Sequence, residues 1–132
     1  MADPQVPYAE VIGARRNLAT GEPILTVGWR VENEGRPGFL HGGVIAGLLE
    51  LACYEALRNE FKGGLGPRIK PINVAVDYLR GAGMADTHAV AHIVRIGKSV
   101  ANASAICWQD DRSKPIATAR MHLLLDREDL GG

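Results

Sequence analysis

Residues 38–52, GFLHGGVIAGLLELA, constrain this chain more than any other stretch. They read as a glycine-rich turn running straight into an apolar helix. Within this stretch the helix carries one carboxylate, Glu50, among Leu48, Leu49, Leu51, Ala52 and Cys53. A carboxylate in apolar surroundings is costly unless it is partnered, solvated or used. The start of a helix presents backbone N–H groups that nothing inside the helix satisfies. With Gly42 and Gly43 at that start, those donors suit an anion or a developing oxyanion. The stretch therefore supplies a candidate acid/base or nucleophile, Glu50, and a candidate oxyanion hole at Gly42 and Gly43.

The spacing adds a condition. Gly42 and Glu50 share a helix face but lie roughly 11 Å apart along the axis at ~1.5 Å per residue. One carbonyl cannot touch both. If both act on the same carbonyl, they come from two copies of the helix, and an isologous dimer would create two such sites at once.

The rest of the chain leaves room for little else. Its 132 residues suit a single domain, expected over 1–132 with residues 1–8 as an N-terminal arm. Lys plus Arg number 15 and Asp plus Glu number 15, so the net charge of zero argues against a nucleic-acid partner. Cys53 and Cys107 sit in apolar runs and read as reduced, buried small hydrophobes. The first residues, MADPQ, have neither the basic nor the apolar part of a signal peptide, and the longest apolar run is interrupted by Glu50. A cytoplasmic protein with no membrane association is the expectation.

Residues 10–18 suggest a short irregular strand, and 19–23 a turn. Residues 24–32 alternate, placing Leu25, Val27, Trp29 and Val31 on one face. Residues 33–38, NEGRPG, are a loop by composition. The helix is predicted over about 41–61, with Glu55, Arg58, Asn59 and Glu60 at its water-facing end and residues 62–67 stopping it. Strands follow over 69–79, with Ile72, Val74, Val76 and Tyr78 on one side, then 87–96, 99–109 and 115–125. Gly97-Lys98 reads as a type II′ hairpin with Gly at its first central position. Ala89, Ala91 and Ile93 share a face, as do Ala101, Ala103, Ala105 and Cys107, and Ala117, Ala119 and Met121. Such small-residue surfaces would let an antiparallel sheet curl around the helix; ordinary core packing is the plainer explanation.

This order of elements, with His41-Gly42-Gly43 followed by Glu50, then Val76-Asp77-Tyr78-Leu79-Arg80 and Gly97-Lys98, resembles the hotdog-fold acyl-CoA thioesterases of the phenylacetyl-CoA and 4-hydroxybenzoyl-CoA group. The resemblance covers nearly all the chain after the arm. It implies an α+β fold in which an antiparallel sheet wraps one long helix. It implies a homodimer, paired further into a tetramer, with a site between protomers. The Gly42 amide would polarise the thioester carbonyl, and Glu50 of the opposite protomer would activate water or attack the carbonyl. The substrate would be a small or medium acyl-CoA, aromatic ones included, with coenzyme A present only as part of the substrate and no metal or cofactor. Phe39, Tyr54 and Asn33 would line the substrate site, and Lys98, Ser99 and Arg80 would meet coenzyme A. Three positions depart from the family pattern: Gly35 stands where relatives often have Asn or Gln, Tyr54 where a water-holding Ser or Thr is common on the helix, and Gly81 where Pro often follows Leu-Arg.

Each residue also has a plainer role. Glu50 could simply reach solvent, Gly42 and Gly43 could serve helix entry, and His41 could orient the turn by hydrogen bonding rather than move a proton. Tyr54 could be core and Lys98 a hairpin charge. His88 and His92 lie ~13 Å apart on a strand, too far to share a metal ion. Two other functions remain open: a hydratase or dehydratase acting on acyl thioesters, and a non-catalytic acyl-CoA-binding module.

Overall fold

The computed structural model describes residues 7–18, 21–61 and 67–126. Their elements run α1 (Pro7–Ile12), β1 (Arg15–Asn17), β2 (Ile24–Val27), a short 3-10 turn (Val31–Asn33), α2 (Gly42–Glu60), β3 (Arg68–Tyr78), β4 (Thr87–Ile96), β5 (Val100–Trp108) and β6 (Ala117–Asp126). The strands form one six-stranded sheet in the order β1-β2-β4-β5-β6-β3. Every pairing is antiparallel. This is the hotdog fold, with α2 held against one face of the sheet. No helix among the described residues is long and apolar enough to cross a membrane.

The small-residue faces are what let the helix approach. Register places Ala89 beside Cys107 and Cys107 beside Ala117. The next row is Ala91, Ala105, Ala119 and Val76, and the next Ile93, Ala103, Met121 and Val74. These rows bury against Leu48, Leu49, Ala52, Cys53 and Leu57 of α2, each with no exposed surface. Full burial of one such leucine stabilises the fold by about 1.5–3 kcal/mol.

Several expectations are corrected. The strand expected over 10–18 begins instead as the last part of α1, because Ala9 and Ile12 are spaced to bury one helical face. Gly13, at φ 75°, ends α1; its N–H reaches the Glu10 carbonyl and that of Ala14 the Ala9 carbonyl. Pro7 and Tyr8, expected in the arm, belong to α1, while residues 1–6 lie outside the described residues. So do 19–20 of the expected turn and 62–66 of the expected helix stop. The second strand ends at Val27 rather than 32, and Val31 is 70% exposed, because the chain turns to carry Asn33 inward. In β3 the register shifts between Pro71 and Asn73 and the strand lies at the sheet edge, so Val74 and Val76 are half-buried while Ile72 and Tyr78 are exposed. Gly97 does not have positive φ, which a type II′ turn requires there. Its N–H bonds the Val100 carbonyl, leaving Lys98 and Ser99 at the turn, and a Cβ on Gly97 would stand 3.0 Å from that carbonyl oxygen. Glu55, expected in water, is 1% exposed because two arginines reach it.

Candidate active site

The start of α2 is built by His41. Its backbone is extended, at φ −63° and ψ 134°, and its imidazole Nδ1 accepts the Gly43 N–H at 2.8 Å. Its carbonyl accepts the N–H groups of Val44 and Ile45, at 3.0 and 3.2 Å. Its own N–H donates to the Asn33 carbonyl at 2.8 Å. The donors at a helix start are ordinarily left over. Here all are taken except that of Gly42, which meets no acceptor among the described residues. Gly42 and Gly43, alike in the sequence, are therefore chemically different: Gly42 is the open donor and Gly43 is held by His41.

Gly42 opens onto a cleft of about 500 Å³. Phe39, His41, Ile45, Tyr78 and two arginines, Arg36 and Arg80, line it, and among the described residues no carboxylate does. The Arg36 guanidinium lies over the Phe39 ring, 4.2 Å from its centroid. Gly81 makes room for this stack, since a Cβ there would stand 3.0 Å from the Phe39 ring. The cleft thus joins an apolar wall, an open amide and two cations, a combination suited to a substrate with an apolar end and an anionic end.

Glu50 is half-buried on α2 and absent from the cleft of its own chain. Burial raises its carboxyl pKa. The structure gathers Phe39, His41, Gly42 and Arg80 of the expected site residues around the cleft. It does not bring the others there. The Asn33 side chain is 2% exposed and donates to the Ile12 carbonyl at 2.8 Å, a bond that ties the loop to α1. Tyr54 lies under Arg58, whose guanidinium is 5.8 Å from the ring centroid. Lys98 and Ser99 are exposed on the β4–β5 hairpin. Gly35 has a steric reason to lack a side chain, since a Cβ would stand 3.0 Å from the His41 Cα.

Three residues were missed as site residues. Arg36 lay in a loop legible only as a loop. The alternation of 69–79 marks Tyr78 only as one side of a strand, whereas its hydroxyl donates to the Gly42 carbonyl at 2.8 Å. Tyr8, assigned to the arm, donates to the Gly43 carbonyl at 3.2 Å. The only available signal was an aromatic with a polar tip directly before Leu79-Arg80.

The sequence model of the Thioesterase superfamily matches residues 37–116, which include the whole of α2 and the cleft lining apart from Gly35 and Arg36. A search of the curated proteins finds no match. Among solved structures, the chain is similar to a Chromobacterium violaceum protein at 34% identity and a TM-score of 0.70, over 92% of this chain and 84% of that one. It is also similar to a mutant of the phenylacetic acid degradation protein PaaI from Thermus thermophilus, at 21% identity and a TM-score of 0.76, over 91% and 99% of the two chains. A thioesterase from Haemophilus influenzae superposes with a TM-score of 0.78 at 16% identity, over 91% and 82%. With the family match spanning more than half its length, the chain belongs to the thioesterase superfamily and is a thioester hydrolase.

Proposed function

We propose that the chain hydrolyses an acyl-CoA thioester at a site completed by a second copy of itself. The observation that carries this reading is the open amide of Gly42 at a cleft that no carboxylate among the described residues lines. The chain's half-buried helix carboxylate, Glu50, lies two turns further along. The acyl group enters the cleft, and the Gly42 N–H receives the charge that develops on the carbonyl oxygen. Glu50 of the partner protomer either takes a proton from the attacking water or attacks the carbonyl itself. Collapse of the tetrahedral intermediate breaks the C–S bond and releases coenzyme A as the thiol. Arg36 and Arg80 at the cleft suit the phosphates of coenzyme A. Lys98 and Ser99 could reach them only from another part of the assembly.

The free side of β3 supports the pairing. It is an edge strand of 11 residues with Ile72 and Tyr78 exposed, the kind of edge that proteins cover or pair. A homodimer formed there is the assembly we infer, with a tetramer as its further pairing. A small or medium acyl group, aliphatic or aromatic, matches the size of the cleft.

Complementation between two inactive variants tests the shared site. Glu50→Gln removes the carboxylate. Gly42→Pro removes the amide hydrogen at the first helical position, where proline is well tolerated, and the extended backbone of His41 suits a following proline. Each variant alone is expected to lose about two or more orders of magnitude in turnover of acyl-CoAs. Co-expression restores one intact site in each mixed dimer. Recovery of activity on mixing supports the reading, and two inactive variants that stay inactive together, while mixed dimers form, overturn it. Wild-type protein that binds acyl-CoA but releases no thiol across short, long and aromatic acyl groups would instead favour a binding module.

A further inference from the structure

The open donor at Gly42 belongs to the peptide unit joining His41 and Gly42. Two consecutive glycines are a poor way to hold an amide still, because neither has a side chain to anchor it and each samples more backbone conformations than any other residue. The units flanking this one are nonetheless tied by hydrogen bonds. Before it, the His41 N–H donates to the Asn33 carbonyl. After it, the Gly42–Gly43 unit gives its N–H to His41 Nδ1 and takes the Tyr78 hydroxyl on its carbonyl, at 2.8 Å each. The next unit, Gly43–Val44, gives its N–H to the His41 carbonyl and takes the Tyr8 hydroxyl on its carbonyl at 3.2 Å. Two tyrosines far apart in the sequence, one on α1 and one at the end of β3, thus reach successive carbonyls of the glycine turn.

Neither contact is incidental to packing. Tyr78 and Tyr8 are 54% and 41% exposed, so their rings are not held there by a closed core. Tyr8 sits in a notch made for it: a Cβ on Gly47 would stand 2.2 Å from its Cε2 and 2.6 Å from its hydroxyl. A glycine inside a helix costs about 1 kcal/mol relative to alanine. That cost is accepted here at the position where any side chain would displace Tyr8. Gly43, Gly47 and Glu50 follow at helical spacing, so Tyr8 lies on the face of α2 that carries the acid. The charge of Glu50 is felt at Tyr8, whose pKa is raised by burial first and by that carboxylate second.

We infer that Tyr78 and Tyr8 are positioning residues that clamp the glycine turn and so fix the direction of the Gly42 N–H toward the thioester oxygen. They touch no reacting atom. This rests on the oxyanion role given to Gly42 above.

The test uses three variants of the full chain: Tyr78→Phe, Tyr8→Phe and Gly47→Ala. The first two keep the ring and remove only the donor. The third keeps both tyrosines and evicts Tyr8 from its notch. Two readouts are taken: kcat and KM with phenylacetyl-CoA or whichever acyl-CoA the wild type turns over fastest, and hydrogen exchange of the Gly43 amide by NMR. Tyr78→Phe is expected to lower kcat about three- to tenfold with KM unchanged, the worth of one neutral hydrogen bond, and to speed Gly43 exchange by a similar factor. Tyr8→Phe and Gly47→Ala are expected to match each other in both readouts. A change confined to KM would make Tyr78 a wall of the cleft only and overturn the clamp, as would unchanged exchange and kcat in all three. Exchange is readable without turnover. Faster exchange in the variants of a protein that hydrolyses no thioester would support the clamp and overturn the reaction assigned to it.

Discussion

The His41 imidazole accepts the Gly43 N–H at 2.8 Å, and this one bond makes the two glycines at the start of α2 unequal. It gives His41 a structural task, capping the helix, that does not require proton transfer. His41→Ala removes the cap and is expected to cost about 1 kcal/mol in urea denaturation. His41→Asn can cap through its own side chain and is expected to recover most of that stability together with most of the activity. An Asn variant that is as stable as wild type yet inactive would return His41 to the chemistry.

The Glu50 carboxyl pKa is raised by burial. A reaction that needs the ionised acid therefore has its acid limb above the range of an ordinary glutamate, and Glu50→Gln removes that limb along with the rate. Stability moves in the opposite sense. A carboxyl whose pKa is higher in the folded state binds protons more tightly there, so its contribution is present below the unfolded pKa and is lost as pH rises through the folded one. Glu50→Gln, neutral throughout, is expected to be more stable than wild type at neutral pH and to lose that advantage in acid. Chemical denaturation of both proteins at pH 4 and pH 7 checks this, and an equal difference at the two pH values would deny it.

What could be read from the chain beforehand was what repeats locally. The helix from Gly42 to Glu60 was legible because its apolar residues recur at helical spacing behind a glycine turn. The faces of β4, β5 and β6 were legible because alanine alternates along each. The pairs that complete the site were not. Tyr8 meets Gly43 across 35 positions, Tyr78 meets Gly42 across 36, and Arg16 meets Glu55 across 39. No periodicity within one segment encodes such a partner. Asn33 is hidden for the same reason: its side chain answers a carbonyl on α1, and a polar residue in a loop carries no sign of that.

Cys53 and Cys107 have no exposed surface, and burial pushes both thiols up to about 12, with the Glu50 charge adding to the effect at Cys53. The thiolate is the reactive form. Neither cysteine is expected to react with a disulfide reagent at pH 8 in the native protein, and both are expected to react at once in denaturant. Rapid labelling of a native thiol would show that α2 separates from the sheet far more often than its packing implies.

Glu55 joins α2 to β1 through Arg16 and is held a second time by Arg58 of its own helix. Its Oε2 lies 2.5 Å from Arg16 Nη1 and its Oε1 3.1 Å from Arg58 Nη1. The glutamate side chain has no exposure, whereas those of Arg16 and Arg58 keep 21% and 32%. The two ends of this cluster therefore respond differently to mutation. Arg16→Met strands a buried carboxylate with one partner, and breaking such a pair costs about 3–5 kcal/mol. Glu55→Met strands two cations that can still turn toward water, and it places an apolar side chain in an apolar setting, so it is expected to cost less than Arg16→Met. Both residues lie outside the cleft, so kcat of the folded fraction is expected to stay at the wild-type value in each variant. Urea denaturation paired with activity below the transition measures both quantities. A Glu55→Met variant less stable than Arg16→Met would mean that the carboxylate, rather than the cations, is the better hydrated partner, against its complete burial.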